Sequence, residues 1–249
     1  VLARKVLPLF LTVAAAGCPM AASTPSEGKG GACPAGMALI AIEGAPSYCI
    51  DRWEAQVVEV RGKQEVPHAP TTPVTNLTVK AVSRPGVVPQ GYISKTEAEA
   101  ACRAAKKRLC TGKEWEQACR GKHPTTFPYG DERKSGYCND SGRAPLASLY
   151  PDLGDGVYAS DKAMNDARIN QAPNTVAPTG SFAKCKNAFG VFDMVGNLHE
   201  WVADMNGSRG TFRGGYYQDT HLNGDGCAYK TVAHDVSYHD YSTGFRCCL

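Results

Sequence analysis

Apolar positions recur at helical spacing in two segments of this chain. From Thr96 to Lys107, Ala98, Ala101, Cys102 and Ala105 fall on one face, and Thr96 with Glu99 has capping-box spacing, which predicts a helix. A second helix is predicted over Thr111 to Arg120. Thr111 and Glu114 repeat the box, Trp115, Ala118 and Cys119 point inward, and Gly121 ends it. Elsewhere the pattern is that of strands: Ala38 to Glu43, Tyr48 to Val60, Thr211 to Tyr217 and Thr243 to Cys248. Between Lys122 and Ala188, Gly, Pro, Asn and Asp dominate and no period stands out. Two helices among short strands and long loops define an irregular α+β class. So long a loop region inside a domain calls for staples or ions, and Cys138 and Cys185 are available as one staple.

The 249 residues, 43% of them hydrophobic, suffice for a sizeable core. No internal repeat interrupts residues 33–249, which read as one domain. Lys plus Arg less Asp plus Glu is 27 − 24 = +3. Two of those positive charges, Arg4 and Lys5, precede an apolar run from Val6 to Ala16 that is too short to span a bilayer and suits the core of a secretory signal. With no basic stripe to follow a phosphate backbone, nucleic acid is not an expected partner. Ala15, Ala16 and Gly17 before Cys18 resemble a bacterial lipobox, although Ala15 stands where leucine is more usual. The expected layout is a signal peptide over residues 1–17, lipidation at Cys18 and a Gly/Pro/Ser-rich tether over 18–32. That places the protein in the bacterial envelope, as a periplasmic or outer-membrane lipoprotein attached to the membrane by its lipid. Cleavage after Ala16, giving a soluble periplasmic or secreted form, is the alternative.

Eleven cysteines are an odd count, and lipid on Cys18 would leave ten to pair in an oxidising compartment. No CxxC knuckle occurs, and adjacent Cys247 and Cys248 diverge on a strand, so five disulfides are favoured over a zinc cluster. The segment NAFGVFDMVGNLHEWVAD, Asn187 to Asp204, sets Asp193 and Glu200 on either side of Gly196, Asn197 and Leu198. Carboxylates and glycine-bent carbonyls are what a hard cation such as calcium takes, and the competing reading is a capped turn.

MALIAIEG at Met37, CIDRWEAQ at Cys49, AAKKRLCTGKEWEQACRG, FPYG at Phe127, DMVGN with EW, FRGGYY and the terminal GFRC occur in one order. Together they resemble the formylglycine-generating enzyme or sulfatase-modifying factor superfamily, from about Cys33 to the end. The resemblance implies a C-type-lectin-like fold with two helices packed on short antiparallel strands. It implies structural calcium held by the side chains of Asp193 and Glu200 and the carbonyls of Gly196 and Leu198, and a second calcium loop beginning at Asn139. It also implies the pairs Cys102–Cys247 and Cys119–Cys227, and with them Cys110–Cys248, Cys33–Cys49 and Cys138–Cys185.

The family's enzymes hold copper(I) with two cysteines just past the RGG motif. In this chain Asp219 falls at the first of those positions and Asn223 or Gly224 at the second, while Tyr216 replaces a serine. Copper is therefore not expected, and neither is the family's oxidation of a peptide cysteine. Asp219, His221, His234, Asp235, His239 and Asp240 could suggest iron, but His234 and His239 lack HExxH spacing. No GxSxG or GxxxxGK[ST] motif occurs, and Gly214 with Gly215 reads as strand packing. The expectation is a binding module whose groove is lined by Tyr216, Tyr217, Asp219, His221, Tyr238 and Tyr241 and takes an envelope protein or a glycan. The alternative is a metal-dependent oxidase with altered ligands.

Overall fold

The computed structural model describes residues 32–232 and 234–249. The signal segment, Cys18 and the tether as far as residue 31 lie outside the described residues. The chain opens with β1, Met37–Ile40, and β2, Tyr48–Asp51, paired antiparallel with Met37 opposite Asp51. Strand β3, Ala55–Arg61, turns tightly through Gly62 (φ 63°) into β4, Gln64–Pro67, and pairs on its other edge with β5, Val79–Ser83. The long strand expected from Tyr48 to Val60 is thus two strands. It breaks where Asp51 and Glu54 turn into the interior to accept from Cys247 N (3.1 Å) and Leu198 N (3.1 Å).

Helix α1 spans Lys95–Ala104 and α2 Gly112–Arg120, with the two-residue strand β6, Arg108–Leu109, between them. The second helix has the predicted capping box of Thr111 and Glu114. The first begins two residues earlier than predicted: Ser94 is the N-cap and Glu97 closes the box, because Ser94 Oγ accepts from Glu97 N while the Glu97 carboxylate accepts from Ser94 N. Thr96 instead donates its backbone N–H to Val236 O.

After α2 come α3, Leu146–Leu149, a 3₁₀ stretch over Pro151–Ala159 and α4, Asp161–Met164. These short turns occupy the segment in which the sequence shows no period. The second half of the Asn187–Asp204 block enters β7, His199–Asn206, with β8, Arg209–Arg213, antiparallel to it. Strand β8 stops four residues short of Tyr217. Gly214 (φ 85°) and Gly215 (φ 70°) leave the strand conformation, and a Cβ on Gly214 would lie 2.8 Å from Met194 O. They make a backbone turn at the end of β8 and pack closely there, since a Cβ on Gly214 would also lie 3.0 Å from the Trp115 ring. Strand β9, Lys230–Thr231, follows, and the C-terminal strand splits at Arg246 into β10, Thr243–Phe245, and β11, Cys247–Cys248.

Among the described residues three sheets form, in the orders β1-β2-β11-β6, β10-β7-β8-β9 and β4-β3-β5. The pairing of β10 with β7 is parallel, a departure from an all-antiparallel arrangement. Buried cores form around Trp115 beside β1 and β2, around Trp201, Phe212 and Phe245, and around Tyr92, Tyr217 and Tyr241.

Five disulfides tie these parts together: Cys33–Cys49, Cys102–Cys247, Cys110–Cys248, Cys119–Cys227 and Cys138–Cys185. The alternation along β11 sends Cys247 to α1 and Cys248 to the end of β6, so the C-terminus is pinned on both faces. Disulfides of this number belong to an oxidising compartment. Among the described residues no helix is long and apolar enough to cross a membrane.

Candidate functional site

The turn from Asp193 to Glu200 is built by backbone conformations that L-residues seldom adopt. Asp193, Gly196 and Asn197 all have positive φ (57°, 79° and 59°). Gly196 cannot be replaced without movement, because a Cβ there would lie 2.1 Å from Asn139 O. Asn197 locks the turn: its Oδ1 accepts from Asn139 Nδ2 (2.9 Å) and Ala177 N (2.8 Å), and its Nδ2 donates to Glu54 and to Ala177 O. Asn139 is therefore joined directly to this turn. Its amide also donates to Thr175 O (2.9 Å), and its own carbonyl accepts from Asn197 N (2.9 Å).

Beneath the turn lies a buried charge cluster. Arg246, fully enclosed, donates through Nε to Glu200 Oε2 and through Nη2 to Oε1, both at 2.6 Å, and Trp115 Nε1 adds 2.7 Å to Oε2. Arg246 also donates through Nη1 to Asp51 O and through Nη2 to Phe192 O. Asp193 accepts from Gly180 N at 2.6 Å, and burial pushes its carboxyl up to about 6, with the Glu200 charge adding to the effect. Glu54 is pushed well above the usual carboxylate range, first by burial and then by Asp193 and Glu200. Three buried carboxylates thus share one guanidinium, and burial together with their mutual repulsion opposes ionising all three at once. A calcium ion at this turn would draw on the carboxylates of Asp193 and Glu200, whose oxygens already accept from Gly180 N and from Arg246 and Trp115, and on the carbonyls of Gly196 and Leu198. Among the described residues no group of three or more His, Cys, Asp or Glu side chains converges as a metal site, so backbone oxygens would have to complete the shell.

The sequence reading gave no role to Glu54, Asn197 or Arg246, although all three stand in motif blocks, CIDRWEAQ, DMVGN and GFRC. Their signal was present as polar residues inside otherwise apolar segments.

The loop after Gly215 has a different chemistry. Asp219 Oδ1 accepts from His221 N (2.8 Å) and Leu222 N (3.1 Å), and Oδ2 accepts from Tyr229 OH (2.8 Å). Burial opposes the Asp219 charge, but these donors outweigh it and hold the carboxyl below its ordinary value. Tyr229 OH lies 3.4 Å from Nε2 of His199, whose Nδ1 faces Ser242 Oγ at 3.2 Å, and burial pushes this imidazole down to about 3. Cys227 is buried in its disulfide with Cys119. Where the resemblance places two copper thiolates, this chain has the hard carboxylate of Asp219 and Asn223 or Gly224, and those residues do not fit copper(I).

Of the predicted groove residues, Tyr217 and Tyr241 are core residues, 0% and 2% exposed. Each packs against Tyr216, and Tyr217 OH donates to Asn170 Oδ1. Tyr216 and Tyr238 are half-buried, and His221 is exposed with Nδ1 3.0 Å from Asp225 Oδ1. The remaining C-terminal histidines do not gather. His234 stacks on Tyr238, and His239 Nδ1 is paired with Asn165 Oδ1.

Residues 51–249 match the model of the sulfatase-modifying factor enzyme 1-like domain. Over 114 residues the chain is 29% identical to the formylglycine-generating enzyme of Mus musculus and 32% identical to that of Mycobacterium tuberculosis. These matches take in 45% and 46% of this chain but only 26% and 32% of those enzymes. Among solved structures, PvdO from Pseudomonas aeruginosa aligns at a TM-score of 0.49 and 18% identity, over 82% of this chain and 80% of that one. CarF aligns at 0.48 and 15% identity, over 82% and 86%.

Proposed function

The chain belongs to the sulfatase-modifying factor enzyme 1-like family, and we propose that it is a member that works by binding and not by catalysis. In this reading the protein is exported, held at the bacterial envelope by lipid on Cys18, and presents its loops to an envelope protein or a glycan. Calcium at the Asp193 to Glu200 turn has a structural role. The observation that carries the non-catalytic reading is the occupancy of Asp219. Its carboxylate falls where the resemblance places the first copper cysteine and is satisfied by two backbone amides and Tyr229, while the next cysteine in sequence, Cys227, is spent in a disulfide. Copper(I) binds soft thiolates, and a hard carboxylate already accepting three hydrogen bonds is a poor substitute.

The test is a peptide mass assay with a sulfatase-type cysteine peptide, copper and a reductant. No aldehyde product is expected, and native-state thiol counting is expected to find Cys227 unreactive. Turnover would overturn the reading and favour the metal-dependent oxidase instead.

The calcium assignment has its own test. Adding calcium is expected to raise the melting temperature of the wild type, since a ligand bound only by the native state stabilises it by mass action. Asp193→Ala should remove most of that increment, and Glu200→Ala should do likewise while also lowering stability without calcium, because Arg246 loses its partner. An Asp193→Ala protein that answers calcium as the wild type does would place the ion elsewhere.

A further inference from the structure

A cleft of about 380 Å³ opens along the outer side of α2, and none of its lining residues belongs to the Asp193–Glu200 turn or to the Asp219 loop. Three cations border it, Lys113, Arg120 and Arg213, against two acids, Glu116 and Asp204. Glu116 answers two of the cations at once: its Oε2 accepts from Arg213 Nη1 and its Oε1 from Arg120 Nε, each at 2.9 Å. Asp204 turns one oxygen to the first amide of α2, accepting from Gly112 N at 2.8 Å, and makes no ion pair among the described residues. Lys113 is exposed and also without an ion pair among the described residues. Arg213 is the telling group. Its side chain is only 9% exposed, yet Nε has no hydrogen-bond partner among the described residues. Leaving a buried guanidinium under-satisfied is costly unless something else completes it.

We propose that this cleft binds a monocarboxylate with an apolar body. The carboxylate would lie against Arg213, Arg120 and Lys113, and the body against Ile42 and Pro124, which also line the cleft. The charge balance selects the head group. Three cations and two acids leave one positive charge, which a single carboxylate neutralises, whereas a phosphate dianion would meet Glu116 and Asp204 with its second charge. Nη2 has no hydrogen-bond partner among the described residues on either Arg213 or Arg120, since Glu116 and Thr125 O take Nη1 of Arg213 and Nε and Nη1 of Arg120, and a carboxylate is what these free donors suit. The size is in the range of small-ligand pockets. A second cleft, lined by Lys122, His123 and Lys186, shares Arg120 and Gly121 with the first and provides a course for a longer ligand such as a peptide ending in the same carboxylate.

The experiment is calorimetric titration of the full chain with hexanoate, hexanamide, inorganic phosphate, and one short leucine-terminated peptide in free-acid and amidated forms. Hexanoate or the free-acid peptide should bind saturably, at least about tenfold more tightly than the matching amide, since charge-assisted hydrogen bonds are lost in the amide. Tighter binding of the peptide would identify a chain end as the source, and tighter hexanoate a free small acid. Lys113→Glu, at an exposed position, should weaken the acid about tenfold without unfolding the protein, and Arg213→Gln should abolish binding. Equal affinity for acid and amide, preference for phosphate, no acid binding at all, or an unchanged Lys113→Glu would overturn the proposal.

Discussion

Arg246→Met is expected to destabilise the protein by about 3–5 kcal/mol, because removing one partner of a buried ion pair strands the other charge away from water. The neighbours make this site worse than an isolated pair. Glu200 is hydrogen-bonded to the guanidinium, Glu54 and Asp193 are buried near enough to feel its charge, and Arg246 also satisfies the carbonyls of Asp51 and Phe192. Without it, three carboxylates face one another with no counter-charge from the chain. Urea denaturation of the variant should show a lower midpoint, and adding Glu200→Gln should recover part of the loss because one of the stranded charges is gone. An Arg246→Met midpoint within about 1 kcal/mol of the wild type, on the usual slope, would show that the cluster does not carry the ionised charges assigned to it. Since calcium would also offset the excess charge, the deficit should shrink when the ion is present.

The paired cysteines at the C-terminus lead to the second large effect. Cys102–Cys247 and Cys110–Cys248 close almost the same loop, with separations of 145 and 138 residues. While one remains, the other constrains only the short path from 102 to 110 and from 247 to 248, about 9 residues, for which chain entropy gives about 2.6 kcal/mol. Removing either bridge by serine substitution should therefore cost about that much and leave a folded protein. Removing both frees the path from α2 to the C-terminus, where Cys119–Cys227 is the next tie. The cost should rise to about 6 kcal/mol, comparable to the whole stability of many domains. Thermal melts of the two single-bridge variants and the four-serine variant would show this. A four-serine variant that melts cooperatively near the single-bridge variants would mean that packing of β11, and not its crosslinks, holds the terminus.

Much of the local structure was legible because it depends on neighbours in sequence. Thr111 and Glu114 form their box within one turn, and the Trp115, Ala118 and Cys119 stripe needs only helical geometry to face inward. The first helix was misplaced by two residues because Ser94–Glu97 and Thr96–Glu99 have the same spacing. Only the docking of Thr96 against Val236 decides between them. Strand β7 was hidden for a related reason. His199 and Glu200 look like loop residues in sequence, yet His199 is enclosed by Phe212, Tyr216 and Tyr229, and Glu200 by Arg246 and Trp115.

The sequence by itself determined the family, through motif blocks that survive as written, and the α+β class, through two helical periods set among short strands. It also shows no cysteine between Gly215 and Cys227, since that follows from residue identity alone. The tertiary structure decided which polar residues share a buried space. Glu54, Asp193, Glu200 and Arg246 are spread over nearly two hundred positions, and no local pattern links them. They meet because β7 pairs in parallel with β10, the strand that ends just before Arg246, and because the chain breaks between β2 and β3 to turn Glu54 inward. Charge interactions act through space, so only the folded chain could reveal that three carboxylates depend on one arginine.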